Sequence, residues 1–319
     1  MKRTLLIGLV VIMSLTMIAS AAKYDLTLGT GGVAGTYFPF GGAIAGVINA
    51  SNPDINMNAV SSGASVANLN GIKSGDFDLA IIQNDTTFFM YNGTEGSNFA
   101  GAAFKGISTI CNLYPEAVHV IVRYDSTIKS IADLKGKKVS VGAAGSGTEV
   151  NARQLFEIYG MDYKKDCQPE YLDFATSAAK FKDGGLDAFF VTGGIPTAAI
   201  TETAITHKIR ILGIEDAKLK QLQAKYPFFA GVTIPAKAYG ANQPDASKTV
   251  AIMAVMVVSN ELPDNVVYAI TKTLFEKKAE ITKGHAKGAS IDLETAIDGL
   301  GAPLHPGAVK YYKEVGLIK

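Results

Sequence analysis

The sequence predicts an α/β fold in two lobes, and three observations carry that prediction. Residues 72–83 read IKSGDFDLAIIQ and residues 181–192 read FKDGGLDAFFVT, so one pattern, apolar–Lys–x–Gly–x–apolar–Asp running into an apolar strand, occurs twice. Each copy follows a glycine-rich turn at a similar distance: 49 residues separate Gly29 from Asp78, and 45 separate Gly142 from Asp187. Strand-like and helix-like segments alternate within both stretches, which argues a mostly parallel sheet flanked by helices in each lobe. A cleft between two facing lobes is a place to hold a small molecule.

In the first unit, residues 24–28 read as a strand and 29–36 as a glycine-rich turn. Residues 38–49 read as a helix, with Pro39 in its first turn, where a missing N–H costs nothing. A second strand over 55–60, a short helix over 65–73 stopped near Gly75, and a third strand over 79–82 follow; the polar triplet Gln83-Asn84-Asp85 comes next. The second unit repeats this order: strand 138–141, glycine-rich turn 142–147, helix 148–159 ended by Gly160, strand 170–174, helix 176–182 and strand 188–191. Then come Thr192-Gly193-Gly194, a helix from Pro196 and a strand over 208–214. Two apolar strands, 117–123 and one within 250–259, read as connectors between the lobes. The C-terminal stretch reads as helices over 265–281 and 293–299 and a loop over 303–307. Lobe 1 is therefore expected over 23–116 plus about 245–319, and lobe 2 over about 117–244.

Residues 1–22 are expected to be a secretory signal and no part of the fold. Met1-Lys2-Arg3 is a short basic region, 5–18 is mostly apolar, and Ala19-Ser20-Ala21-Ala22 supplies the small residues a signal peptidase needs. This places the mature chain in the periplasm. The whole chain has a formal charge of +1 and no run of five or more like charges, so it has no electrostatic footprint for nucleic acid. Cys111 and Cys167 leave a disulfide open, with two buried thiols the favoured alternative.

Ligands of open parallel sheets bind beyond the carboxyl ends of the strands, where the polar turns lie. Ser146 and Glu149 fit a capping box at a helix start, and the N–H groups of a helix N-terminus favour a carboxylate or phosphate. Gly35-Thr36, Ser65, Ser146-Gly147-Thr148 and Gly193-Gly194 all precede helices after strands, so several such ends converging on one cleft would form an anion clamp. Tyr37, directly after the first turn, is the candidate stacking aromatic; for Tyr226-Pro227-Phe228-Phe229 a core role is favoured. Residues 29–34 also fit the dinucleotide fingerprint G-x-G-x-x-A, but the acid expected at the end of the second strand is missing. Catalysis finds little support. The four histidines show no metal-ligand spacing, Ser146 is not in a G-x-S-x-G elbow, and no Lys follows Gly147 to make a P-loop. No enzyme, cofactor or metal is expected.

The segments GTGGVAGTYFPFGGAIAGVIN, SSGASVANLNGIKSGDFDLAIIQND, SIADLKGKKVSVGAAGSGTEVNARQ, YPFF and PLHPGAVKYYKEVG resemble, in order and over nearly all of the mature chain, the solute-binding proteins of TRAP transporters, TAXI subgroup. The resemblance implies a type II periplasmic binding protein that closes on glutamate or a related dicarboxylate such as 2-oxoglutarate. It also implies a membrane permease of small and large subunits as partner. Carried onto this chain, the ligand-facing candidates are Gly35, Thr36 and Tyr37; Ser65, Asn68, Gln83, Asn84 and Asp85; Ser146, Gly147 and Thr148; and, more weakly, Gly193 and Pro196. Arg153 lies inside its helix, so recognition of a carboxylate would rest on N–H groups and hydroxyls. The alternative is an exported ligand sensor or scavenger of the same fold.

Overall fold

A computed structural model describes residues 23–94 and 97–319; the expected signal peptide lies outside them. The first unit is β1 (Tyr24–Gly29), α1 (Tyr37–Ser51), β2 (Ile55–Val60), α2 (Ser65–Ser74), β3 (Leu79–Gln83) and α3 (Asn84–Asn92). A long strand, β4 (Ile107–Arg123), leads to the second unit: β5 (Lys138–Ser140), α4 (Gly147–Ile158), α5 (Tyr163–Asp166), β6 (Gln168–Glu170), α6 (Phe174–Lys182) and β7 (Ala188–Gly193). Then follow α7 (Ala198–Thr206), β8 (Ile209–Ile211), α8 (Asp216–Lys225), β9 (Ala230–Ile234), a second long strand β10 (Ser247–Ser259), and α9 (Asp264–Glu276), α10 (Lys278–Gly284) and α11 (Pro306–Glu314).

The repeated sequence pattern builds the same object twice. β1 pairs in parallel with β2 and β3, and β5 pairs in parallel with β6 and β7. The glycine of each pattern ends its helix with positive φ, +84° at Gly75 and +78° at Gly184, a conformation that costs glycine little. The aspartate of each pattern then ties its strand to the strand beside it. Asp78 Oδ2 accepts from Thr27 N at 2.8 Å, and Asp187 Oδ2 accepts from Lys138 N at 2.8 Å.

The two units are joined by β4 and β10, and the strand order β2-β1-β3-β10-β4-β7-β5-β6 makes one mixed sheet. Both long strands change partners midway. β10 pairs antiparallel with β3 over 254–258 and with β9 over 247–251. β4 pairs with β10 over 107–117, then with β7 and β8 over 117–123. The apolar side chains divide accordingly. One core gathers Leu28, Phe40, Ile44, Tyr114, Met256 and Tyr312. Another gathers Val120, Val139, Phe156, Phe190 and Ile252. This is the two-lobed fold of type II periplasmic binding proteins.

Several expected boundaries are corrected. The connectors run much further than 117–123, because a strand crossing both lobes is paired in each. The strand expected over 170–174 lies at 168–170 instead; Asp173 Oδ1 accepts from Thr176 N at 2.8 Å and starts α6 at Phe174. Residues 293–299 are turns and not a helix, and 265–281 is two helices with a break at Lys277. Residues 306–314, partly read as loop, form a helix with Pro306 at its start. Cys111 and Cys167 are free thiols buried in separate cores.

Candidate functional site

At the carboxyl ends of β1, β3, β5 and β7 the lobes meet around a cavity of about 60 Å³. Its first-lobe wall includes Gly35, Thr36 and Tyr37 from the turn into α1, Ser65 at the start of α2, and Gln83 at the end of β3. Its second-lobe wall includes Ser146, Gly147 and Thr148 at the start of α4, with Thr192 near the end of β7. Eight of the thirteen residues proposed from sequence thus come together.

Asn68, Asn84, Asp85, Gly193 and Pro196 do not line it. Asn68 is a brace: its Nδ2 donates to Thr30 O at 2.7 Å and Ile81 O at 2.9 Å, holding β1 and β3 to α2. Asn84 Nδ2 donates to Gly299 O at 3.0 Å, fixing the C-terminal segment. Asp85 is fully buried at the seam between lobes, where Asn151 Nδ2 and Gln154 Nε2 each approach its Oδ2 at 3.4 Å. Burial pushes its carboxyl up to about 6, against the hydrogen bonds from Thr86. Beside Gly193, Gly194 N donates to Thr36 Oγ1 at 3.1 Å, and Pro196 follows Ile195 through a cis bond. The residues between these two positions, Gly194 and Ile195, make contacts to the other lobe next to the cavity.

The lobes are closed on one another. Val66 N and Ala67 N both donate to Gly145 O of the other lobe at 3.1 Å. These are free N–H groups of the first turn of α2, which has no side-chain cap. Gln83 Nε2 donates to Asn151 Oδ1 at 3.0 Å, and Lys287 Nζ donates to Ile195 O at 2.9 Å. Gly147 is the point of closest approach. A Cβ there would lie 2.1 Å from Gln83 Oε1 and 2.8 Å from Ser65 Oγ, both in the opposite lobe.

The cavity wall carries polar groups without partners. Gln83 Oε1 and Thr192 Oγ1 are buried and have no hydrogen bond. Unpaired buried polar atoms are uncommon and call for an explanation such as a missing ligand. The N–H groups of Gly147 and Thr148 open α4 and have no intrahelical acceptor, while Ser146 Oγ accepts from Glu149 N at 3.1 Å. Only half of the expected capping box forms, because Glu149 turns away to accept a hydrogen bond from Tyr163. Tyr37 lies with its ring in the first-lobe core and donates its hydroxyl to Glu116 Oε2 at 2.6 Å.

Sequence reasoning missed several lining residues, among them Thr192, Asp173 and Glu116; Glu116 is the buried acid of these. It lines the cavity at 2% exposure, on β4 just before that strand changes partners. Burial pushes its carboxyl up to about 8, opposed by the bond from Tyr37 and by the charge of Lys287. The available signal was the lone acid of a 17-residue, largely buried strand, directly after Pro115. A larger open recess of about 750 Å³ lies between α3, α4 and α8, lined by Phe88, Arg153, Tyr226 and Phe228. Arg153 there donates to Asn98 Oδ1 at 2.8 Å, and Phe88 packs on Phe228 with ring centroids 5.2 Å apart.

A model of the NMT1-like family matches residues 28–316. The chain belongs to the NMT1-like family. This corrects the expectation that it is a TRAP solute-binding protein of the TAXI subgroup. A curated relative outside that subgroup agrees: a putative aliphatic sulfonates-binding protein of Escherichia coli (strain K12), 33% identical over 91 residues. That stretch is 28% of this chain and only 28% of the relative's length. The motifs behind the TAXI resemblance hold strand ends, glycine turns and the repeated aspartate pattern together with the cavity-lining residues Thr36, Ser65 and Ser146–Thr148.

Solved structures share the fold of this family member. The alkanesulfonate-binding protein from Xanthomonas axonopodis pv. citri bound to MOPS has a TM-score of 0.51 at 15% identity, covering 86% of this chain and 82% of that one. The binding-protein component of an ABC phosphonate transporter from Pseudomonas aeruginosa reaches 0.53 at 12% identity, over 83% and 79% of the two chains. A putative L-cystine ABC transporter protein from Listeria monocytogenes reaches 0.52 at 15%, over 84% and 98%.

Proposed function

We propose that this protein is an exported solute receptor. It closes two lobes around a small solute bearing an anionic group and presents it to a membrane transporter of the ABC type. The observation that carries this reading is the cavity between the closed lobes, with Gln83 Oε1 and Thr192 Oγ1 buried in the residues of its wall and unpaired among the described residues. Gly147 N and Thr148 N supply donors for an oxyanion, aided by the positive end of the α4 dipole. The sulfonates-binding relative and the alkanesulfonate-binding protein of the same fold support a sulfonate as that group, and a carboxylate offers the same oxyanion chemistry to these donors. We place the lobe boundaries at 23–116 plus about 245–319, and about 117–244; β4 exchanges partners at 117, and β10 does so between 251 and 254.

A solute that binds only the closed form raises the melting temperature with its concentration, by about 2.7 kcal/mol of stability at a hundredfold excess over Kd. A thermal-shift panel of ethanesulfonate, succinate, 2-oxoglutarate and glutamate, with glucose and choline as controls, should respond to at least one of the anions. A response to glucose or choline alone would reject the anion reading.

A further inference from the structure

Glu116 is an acid inside a cavity assigned to an anion, and among the described residues no cation pairs directly with its carboxyl; Lys287 acts on it only through space. Tyr37 takes one carboxyl oxygen; among the described residues the other, Oε1, has no hydrogen-bond partner. The titratable groups around it do not neutralise it. Tyr37 from α1 and Tyr114 on its own strand are phenols held protonated by burial. Asp85, at the start of α3, adds negative charge. Lys287, from the turn after α10, acts only at a distance, since its Nζ is held by Ile195 O. Across the cavity, Asp173 is committed to capping α6.

We propose that Glu116 closes on the solute in its protonated form and donates that proton in a hydrogen bond to the solute's anionic oxygen, so that capture takes up about one proton from water. The proposal rests on the solute reading above and deepens it: the site recognises its anion partly through a neutral carboxylic acid. An ionised Glu116 would face the solute anion and Asp85 in a site shielded from water, where repulsion is strong. For this, opening of the lobes must return Glu116 to solvent, where it ionises in the ordinary glutamate range. Burial in the closed form raises it to about 8. The closed, solute-bound state therefore holds a proton that the open state lacks between those two values. Affinity falls as pH rises through that window, by at most about tenfold per pH unit. It is flat below the ordinary glutamate range and again above about 8.

The test is calorimetric titration of the whole mature chain with ethanesulfonate, succinate, 2-oxoglutarate and glutamate at pH 5.5 and 7.5, in buffers of differing ionisation enthalpy. The anion that binds should bind more weakly at pH 7.5, by a factor approaching a hundred, with uptake of about one proton. Glu116→Gln should bind with nearly the same affinity at both values. Asp85→Asn should keep most of the slope, losing only the smaller part that Asp85 itself contributes near pH 6. Tyr37→Phe, which removes the bond that favours the ionised form, should move the window upward; it serves if Glu116→Gln does not fold. Wild-type affinity independent of pH would overturn the proposal. So would proton release with loss of binding in Glu116→Gln, which would give Glu116 a solute cation. A slope lost in Asp85→Asn but kept in Glu116→Gln would move the proton to Asp85 and overturn it too. Binding of none of the four anions would remove the anion reading itself, and this proposal with it.

Discussion

The two α/β units match in their scaffold and differ in how their helices begin. In both, a glycine with positive φ ends a helix and an aspartate carboxylate accepts the N–H of the neighbouring parallel strand at 2.8 Å. In the second unit the helix starts are closed by their own side chains: Ser146 caps α4 and Asp173 caps α6. In the first unit neither α1 nor α2 has a side-chain cap. Thr36, where α1 begins, spends its hydroxyl on Gly194 N of the other lobe, and the first N–H groups of α2 are satisfied by Gly145 O of the other lobe. The repeat supplies two copies of one support. The departures from it supply the surface on which the lobes close, because donors left open in one copy are completed only by the other.

The largest effect should come from obstructing that closure. In Gly147→Val the added Cβ meets Gln83 and Ser65 of the opposite lobe at 2.1–2.8 Å, and these are the atoms nearest to it. Each lobe can still fold, since valine in a helix's first turn costs well under about 1 kcal/mol. Calorimetry should show affinity reduced at least about a hundredfold, which is about 2.7 kcal/mol, with the melting temperature of the solute-free protein little changed. Near wild-type affinity would place the solute elsewhere.

The shared support can be broken in each copy separately, with a smaller effect. Asp78 is part-buried and Asp187 exposed. Asp78→Ala should destabilise the protein by about 1.5–3 kcal/mol in denaturant unfolding, and Asp187→Ala by less, since water can replace the lost acceptor at an exposed site. Equal losses, or a larger loss at Asp187, would mean that the two aspartates do not do the same work.

The matched scaffold was legible in the sequence, and the departures from it were not. The repeated Lys-x-Gly-x-apolar-Asp pattern and the glycine turns announced both units, because each marks a local event: a helix end, a strand tie, a turn with positive φ. The polar turns at strand ends led to Thr36, Tyr37, Ser65, Gln83 and the Ser146–Thr148 segment, which line the cavity. Asn68, Asn84 and Asp85 were misplaced because polarity at a strand end does not tell a ligand contact from a brace. Glu116 was passed over because the strand was read only from residue 117 onward, and a strand crossing two lobes has no local signature at its midpoint. The full length of β4 depends on β10, 130 residues away or more, pairing with it.

The central claim is that a solute draws the second lobe onto open donors of the first, and the amides of Val66 and Ala67 report this directly. Both donate to Gly145 O only when the lobes are closed. Residue-resolved hydrogen exchange, with and without a saturating amount of the anion found by thermal shift, should show these two amides exchanging readily in the free protein and protected at least about tenfold when solute is bound. Amides within β1 and β3 should change little. Equal protection of Val66 and Ala67 in both conditions would contradict closure on the solute.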